Sequence, residues 1–175
     1  MGTIKWIFMA CLTAIFSGCL GRDLPQVQHY ELNFHQETLK EVKQNRSLNW
    51  EIIVSPKIAN KDIAYKRNQN RLDYFANNAW IEPFSIMLNA LSQKIAENLG
   101  IHFSTQGKTL KINVLDCYFD AIKEKVFVHL LVESKDSSWL INLEEKVAEG
   151  GFIKIVEAFE IAINRALTEA FLSGE

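Results

Sequence analysis

The sequence predicts an α+β domain, a mainly antiparallel sheet with two amphipathic helices packed on one face. Three observations carry that expectation. Apolar residues recur at steps of three and four over two stretches, one between Pro83 and Gly100 and one after Gly150-Gly151. Elsewhere the apolar runs are short, β-branched or alternating, and are bounded by polar turn segments. The order of these runs, strands then helix then strands then helix, lets both helices cover a single sheet face.

Taken along the chain, His29-Tyr30-Glu31-Leu32-Asn33-Phe34 alternates with Tyr30, Leu32 and Phe34 on one side, as a half-buried strand does. Glu37 to Ser47 is polar and reads as a connection. Trp50-Glu51-Ile52-Ile53-Val54 is a second strand, which Pro56 stops. Ile63 to Lys66 and Leu72 to Phe75 flank the polar pentapeptide Arg67-Asn68-Gln69-Asn70-Arg71 and read as a hairpin. Pro83 suits the first helical position and Gly100 the left-handed residue beyond the end; between them Phe84, Met87, Leu88, Leu91, Ile95 and Leu99 share a face. Leu110 to Phe119 and Val126 to Glu133, then Lys135-Asp136-Ser137 leading into Trp139 to Leu143, form a three-strand meander. The last helix carries Phe152, Ile155, Val156, Phe159, Ile163, Ala166, Leu167 and Ala170 along one stripe.

The chain has 175 residues, with 48% apolar and 23% charged side chains, enough for one domain with a sizeable core. Lys and Arg number 19 against 21 Asp and Glu, a formal charge of −2, so no broad basic footprint for a nucleic acid is present. The N-terminus has a different character. Lys5 precedes an apolar run from Trp6 to Phe16, too short to span a bilayer but fitting the core of an export signal, and Ser17-Gly18-Cys19 follows. Phe16-Ser17-Gly18-Cys19 resembles a bacterial lipobox, which implies cleavage before Cys19 and lipidation of its thiol. On that reading residues 1–18 are a signal peptide, 19–28 the lipidated Cys and a tether, and 29–175 the folded domain. Acyl chains on Cys19 would hold the domain at a membrane. Cys11 would leave with the signal, and Cys117 would be the single remaining free thiol, read as a small buried hydrophobe.

The search for chemistry finds little. The four histidines, His29, His35, His102 and His129, show no spacing that would place two on one helical face for a metal. His129 with Asp116 and Cys117 is the one grouping that resembles a Cys-His site, and it lacks an evident orienting group; satisfied sheet residues explain it more cheaply. No GxGxxG, P-loop or GxSxG motif occurs. The expectation is a protein without catalytic residues, metal or cofactor. Lys57, Lys61, Lys66, Arg67 and Arg71 gather positive charge around the hairpin, diluted by Asp62 and Asp73. They read either as a solvated edge that discourages mispairing or as a contact with lipid phosphates or an acidic partner. Tyr65, Lys66, Arg67, Arg71 and Tyr74 are the candidate partner-binding residues. Trp80, directly before the first helix, is expected in the core against Phe84.

One segment carries a family resemblance. Ile63-Ala64-Tyr65-Lys66-Arg67, then Leu72-Asp73-Tyr74-Phe75-Ala76-Asn77-Asn78-Ala79-Trp80-Ile81-Glu82-Pro83, then Met87-Leu88 is similar to the signature of the ABC-type transport auxiliary lipoproteins. Tyr30-Glu31-Leu32, Val54-Ser55-Pro56 and Ala158-Phe159 add to it. The resemblance implies a non-enzymatic envelope component of a lipid-trafficking ABC system. Its implied partners are a substrate-binding protein with a mammalian-cell-entry domain or other transporter subunits, with phospholipid itself a candidate ligand. The implied location is the bacterial envelope, lipid-anchored and facing the periplasm. Leu20 rather than Asp after Cys19 resembles outer-membrane lipoproteins more than inner-membrane ones. An alternative of another class is a structural or assembly lipoprotein of the outer membrane unrelated to any ABC system.

Overall fold

A computed structural model describes residues 26–35, 44–68 and 70–173. The expected signal peptide, Cys19, most of the expected tether and most of the predicted Glu37–Ser47 connection lie outside these residues. The elements run β1 (Gln28–Tyr30), β2 (Arg46–Val54), β3 (Asp62–Asn68), β4 (Arg71–Trp80), α1 (Phe84–Asn98), β5 (Ile101–Phe103), β6 (Lys108–Asp120), β7 (Lys125–Ser134), β8 (Ser138–Lys146) and α2 (Phe152–Ser173). Among the described residues the eight strands join one sheet. The α+β class with two helices on the sheet is as the periodicity predicts.

The hairpin and the meander are antiparallel, with Tyr65 opposite Asp73, Leu130 opposite Val114 and Ile141 opposite Leu130. The remaining pairings are parallel: β1 with β4, β2 with β5 and β6, and β3 with β6. The sheet is therefore mixed, a feature that side-chain alternation cannot reveal because it is the same for either strand direction. β6 is the hinge of the arrangement. Its first half pairs with β2 as far as Val54 and Val114, and its last residues pair with β3 at Tyr65 and Lys66. β2 also begins at Arg46, so Arg46 and Ser47 belong to a strand rather than to the predicted connection. The first strand stops at Tyr30, although Leu32 beyond it is buried and Tyr30 and Phe34 pack on the core. β5 had no signal of its own in the sequence; three residues are too few to show a period.

α1 lies between Pro83 and Gly100 and α2 starts just after Gly150-Gly151, as the sequence predicts, although Pro83 sits one position before the first helical residue expected of it. Pro83 is the N-cap of α1 and supplies no side-chain cap. The exposed amides of the first turn are satisfied by the preceding loop instead: Phe84 N donates to Asn60 O at 2.8 Å and Ser85 N to Ala59 O at 3.3 Å. Gly100 takes a φ of 71°, the left-handed conformation that ends a helix without strain. Gly107 answers a different need, since a Cβ there would lie 2.8 Å from Ser47 O, inside the backbone of β2. The buried face of α1 includes Phe84, Met87, Leu88, Leu91 and Ile95. Phe84 and Leu88 meet Ile163, Ala166 and Leu167 of α2 over Val114, Cys117, Val128 and Leu130 of the sheet. Among the described residues the core is thus one layer between the two helices and one sheet face, and no helix packs on the opposite face. Among the described residues no helix is long and apolar enough to cross a membrane.

Candidate functional site

The hairpin residues picked out in the sequence do not form one surface. Successive side chains on β3 point to opposite sides of the sheet. Tyr65 turns to the helix side, only 9% exposed, and its ring lies 4.4 Å from that of Phe75, which in turn meets Phe152 of α2 edge-on at 4.8 Å. Arg67 follows on that side, its guanidinium 5.2 Å from the centre of the Tyr65 ring. Lys66 goes to the opposite side and sets its ammonium 3.9 Å above the ring of Tyr118. Tyr74 is exposed and donates from its hydroxyl to Lys57 O at 2.7 Å. Arg71 is exposed and engages Asp73 through a 2.6 Å contact. Tyr65 is therefore part of the packing beneath the hairpin, whereas Arg67, Arg71 and Tyr74 remain accessible.

The uncovered sheet face holds a group that sequence reading did not assemble. Tyr118 and Phe127, opposite each other on β6 and β7, stack at 5.5 Å with planes 14° apart. Lys66 covers the Tyr118 ring and Lys123 lies 5.0 Å over that of Phe127. His129 stands edge-on to both rings at 6.2 Å. Burial, reinforced by the charges of Asp116 and Asp120, pushes the Tyr118 hydroxyl above its ordinary pKa. Lys57 closes the group through a 2.7 Å ion pair with Asp116. Tyr118 and Phe127 are visible in the sequence as members of two apolar strands; only the strand register makes them a pair.

That register also separates the suspected Cys-His grouping. Val114 faces Leu130, yet Asp116 faces His129, so Leu115 is an extra residue and β6 bulges there. The bulge shifts the alternation by one. Cys117, instead of Asp116, then turns into the core against Phe84, Leu88 and Leu167, while Asp116 and His129 stay on the uncovered face. The three side chains do not converge. Burial, with a smaller contribution from Asp116, holds the Cys117 thiol far above its normal pKa, the reverse of what a nucleophile requires. Among the described residues no group of three or more His, Cys, Asp and Glu is placed to hold a metal ion.

A second polar arrangement fixes the segment that follows the tether. Glu160 is buried in α2, and its Oε1 accepts hydrogen bonds from Asn33 N at 2.9 Å and Asn33 Nδ2 at 2.8 Å, while Oε2 lies 2.9 Å from His35 Nε2. Asn164, one turn on, accepts from His35 N at 3.1 Å and donates to Asn33 O at 2.9 Å. Residues 31–35 are thus strapped across α2 by buried side chains that read in sequence merely as polar interruptions of its apolar stripe.

No family model matches the chain, and no curated protein matches it. Solved structures do. One, described as the crystal structure of an uncharacterized protein, has a TM-score of 0.64 at 16% identity, covering 82% of this chain and 95% of its own. A second is protein XCC0632 from Xanthomonas campestris, given with the family designation DUF330. It has a TM-score of 0.60 at 17% identity, covering 86% of this chain and 91% of its own. The chain is similar to both in fold, and the likeness extends over nearly all of each.

Proposed function

We propose that this chain is a lipid-anchored envelope protein, an accessory component of an ABC-type system with a mammalian-cell-entry-domain subunit that passes lipid between membranes. The observation that carries the reading is the ordered motif block from Tyr65 through Trp80-Ile81-Glu82-Pro83, set downstream of a lipobox ending at Cys19. In the fold that block is one continuous device: hairpin, core tryptophan, helix start. The likeness in fold to a DUF330 protein agrees with this reading at the level of architecture. The role is non-catalytic, with the domain acting as a docking body at the far end of a lipid bridge. Exposed Arg67, Arg71 and Tyr74 supply its partner contacts.

Two measurements test this. Radiolabelled palmitate is expected to enter the chain, and Cys19→Ala is expected to abolish the label and accumulate precursor. Affinity capture of the lipidated protein from detergent-solubilised envelopes is expected to bring down a permease, an ATPase and a mammalian-cell-entry-domain protein. A mature, unlabelled chain refutes the anchor. A labelled chain that captures none of these subunits leaves the structural-lipoprotein alternative as the better account.

A further inference from the structure

We infer that the end of the sheet formed by the β3–β4 tip, the turn between β6 and β7, and the loop between β8 and α2 is a membrane-contacting face that rests on the phospholipid surface, with Ile122 as its wedge. The inference rests on the anchoring of Cys19 proposed above and adds the orientation in which the domain is held.

The strand directions bring these three connections together. β3 ends where β6 ends, with Lys66 opposite Asp120, and β7 begins beside the end of β8, with Lys125 opposite Lys146. Ala121 N donates to Lys66 O at 2.9 Å and Val147 N to Glu124 O at 2.9 Å, so the connections are tied to one another. β1 runs parallel to β4, with Gln28 opposite Asn78. The chain upstream of Gln28 therefore enters from the direction of Arg71, the tip end of β4. From Asn78 back to Arg71 is about 23 Å along a strand. Cys19 to Gln28 spans at most about 30 Å of extended chain. The level of the tip therefore lies within the contour length that separates Cys19 from Gln28.

The chemistry at this end suits a bilayer surface. Ile122 is 71% exposed, more than any other large apolar side chain among the described residues. It is presented by a fixed turn, since Asp120 Oδ1 accepts from both Ile122 N at 2.9 Å and Lys123 N at 3.0 Å. Lys123, next in the turn, lays its chain over the ring of Phe127, an apolar base beneath a cationic head. Behind the turn an open cleft of about 360 Å³ is lined by Phe119, Val147, Phe152 and Ile155 together with Glu124 and Glu149. With acidic residues present as well as basic ones, the apolar wedge and cleft, rather than net charge, supply the attraction.

The test uses the full chain, processed in cells and extracted from membranes, with an environment-sensitive fluorophore attached at position 122 of an Ile122→Cys variant. Cys117 is buried and stays unlabelled. Companion variants carry the fluorophore at Lys135→Cys, at the far end of the meander, and at Ile86→Cys, an exposed apolar residue on α1. Each is placed in phosphatidylethanolamine–phosphatidylglycerol vesicles containing doxyl-labelled lipid, and the mass of the N-terminal peptide reports acylation of Cys19. Quenching at position 122 is expected to exceed that at 135 and 86 by about threefold or more, as for a residue held at the acyl boundary. An acylated protein quenched equally at all three positions, or most at 86, overturns the orientation and leaves the proposed function standing. An unacylated Cys19 overturns the anchor and this inference together.

Discussion

Trp80→Ala is the sharpest probe of how the motif block is built into the fold. Trp80 closes β4 at 2% exposure, its ring 5.7 Å from Phe84 in a stacked arrangement and 5.6 Å from Phe159 edge-on. It therefore joins the end of a strand to the first turns of α1 and the middle of α2. Burying an indole removes about 200 Å² from water, and at about 25 cal/mol per Å² the transfer contribution is near 5 kcal/mol as an upper figure. Alanine retains a small part of this, and the two lost ring pairs add about 1 kcal/mol each before the neighbours relax. An expected loss of about 3–5 kcal/mol follows, a large share of the 5–15 kcal/mol typical of a domain. For a chain of this size that is a fall in Tm of roughly 8–16 °C. Thermal unfolding of a version beginning at Gln28, followed by circular dichroism, measures it. Trp80→Phe keeps both ring contacts and is expected to fall by less than half as much. If Trp80→Ala unfolds within about 2 °C of the parent, Trp80 does not hold the two helices to the sheet, and a role as a partner anchor replaces the core assignment.

Other outcomes follow from the same structure. Asn164→Ala removes the side chain that accepts from His35 N and donates to Asn33 O, at a local cost of about 1–3 kcal/mol, so the amides of residues 33 and 35 are expected to exchange faster by roughly 10- to 100-fold. Hydrogen exchange read by mass spectrometry checks this, and unchanged protection would show that Glu160 alone holds the strap. Cys117 is expected to resist alkylation in the folded chain at pH 8 and to react on unfolding. Because its folded pKa is raised, the unfolded thiol ionises above its normal value of 9.0 while the folded one does not, so stability declines as pH climbs past that point. Cys117→Ser or Ala should flatten the decline, and an unaltered pH profile would contradict the assignment. Finally, the version beginning at Gln28 is expected to unfold at the same temperature with and without a strong chelator; a drop with chelator would reveal a metal site that the present reading lacks.

Local pattern was enough to establish the class of fold, both helices with the two ends of the first and the start of the second, the hairpin and the meander. These depend on periodicity and on Pro and Gly, whose effects act within a few residues. The position of Trp80 was also legible, because it adjoins a helix start whose apolar face begins at Phe84. Strand direction was not: the period of two is identical in parallel and antiparallel pairs, so the four parallel pairings emerged only with the sheet itself. Nor was the sidedness of the hairpin, where buried Tyr65 and accessible Arg67 lie on one side and Lys66 on the other. Burial of Cys117 was read from its apolar strand and holds, but the turning of Asp116 to the other face depends on a single bulged residue, Leu115, which reverses every side chain after it. The pairing of Tyr118 with Phe127 and the reach of Glu160 to Asn33 and His35 join residues distant in the chain, through contacts whose partners no local pattern specifies. Composition and periodicity determine which residues must leave water; where the remaining polar and aromatic side chains meet is decided only when register and helix packing bring them to the same place.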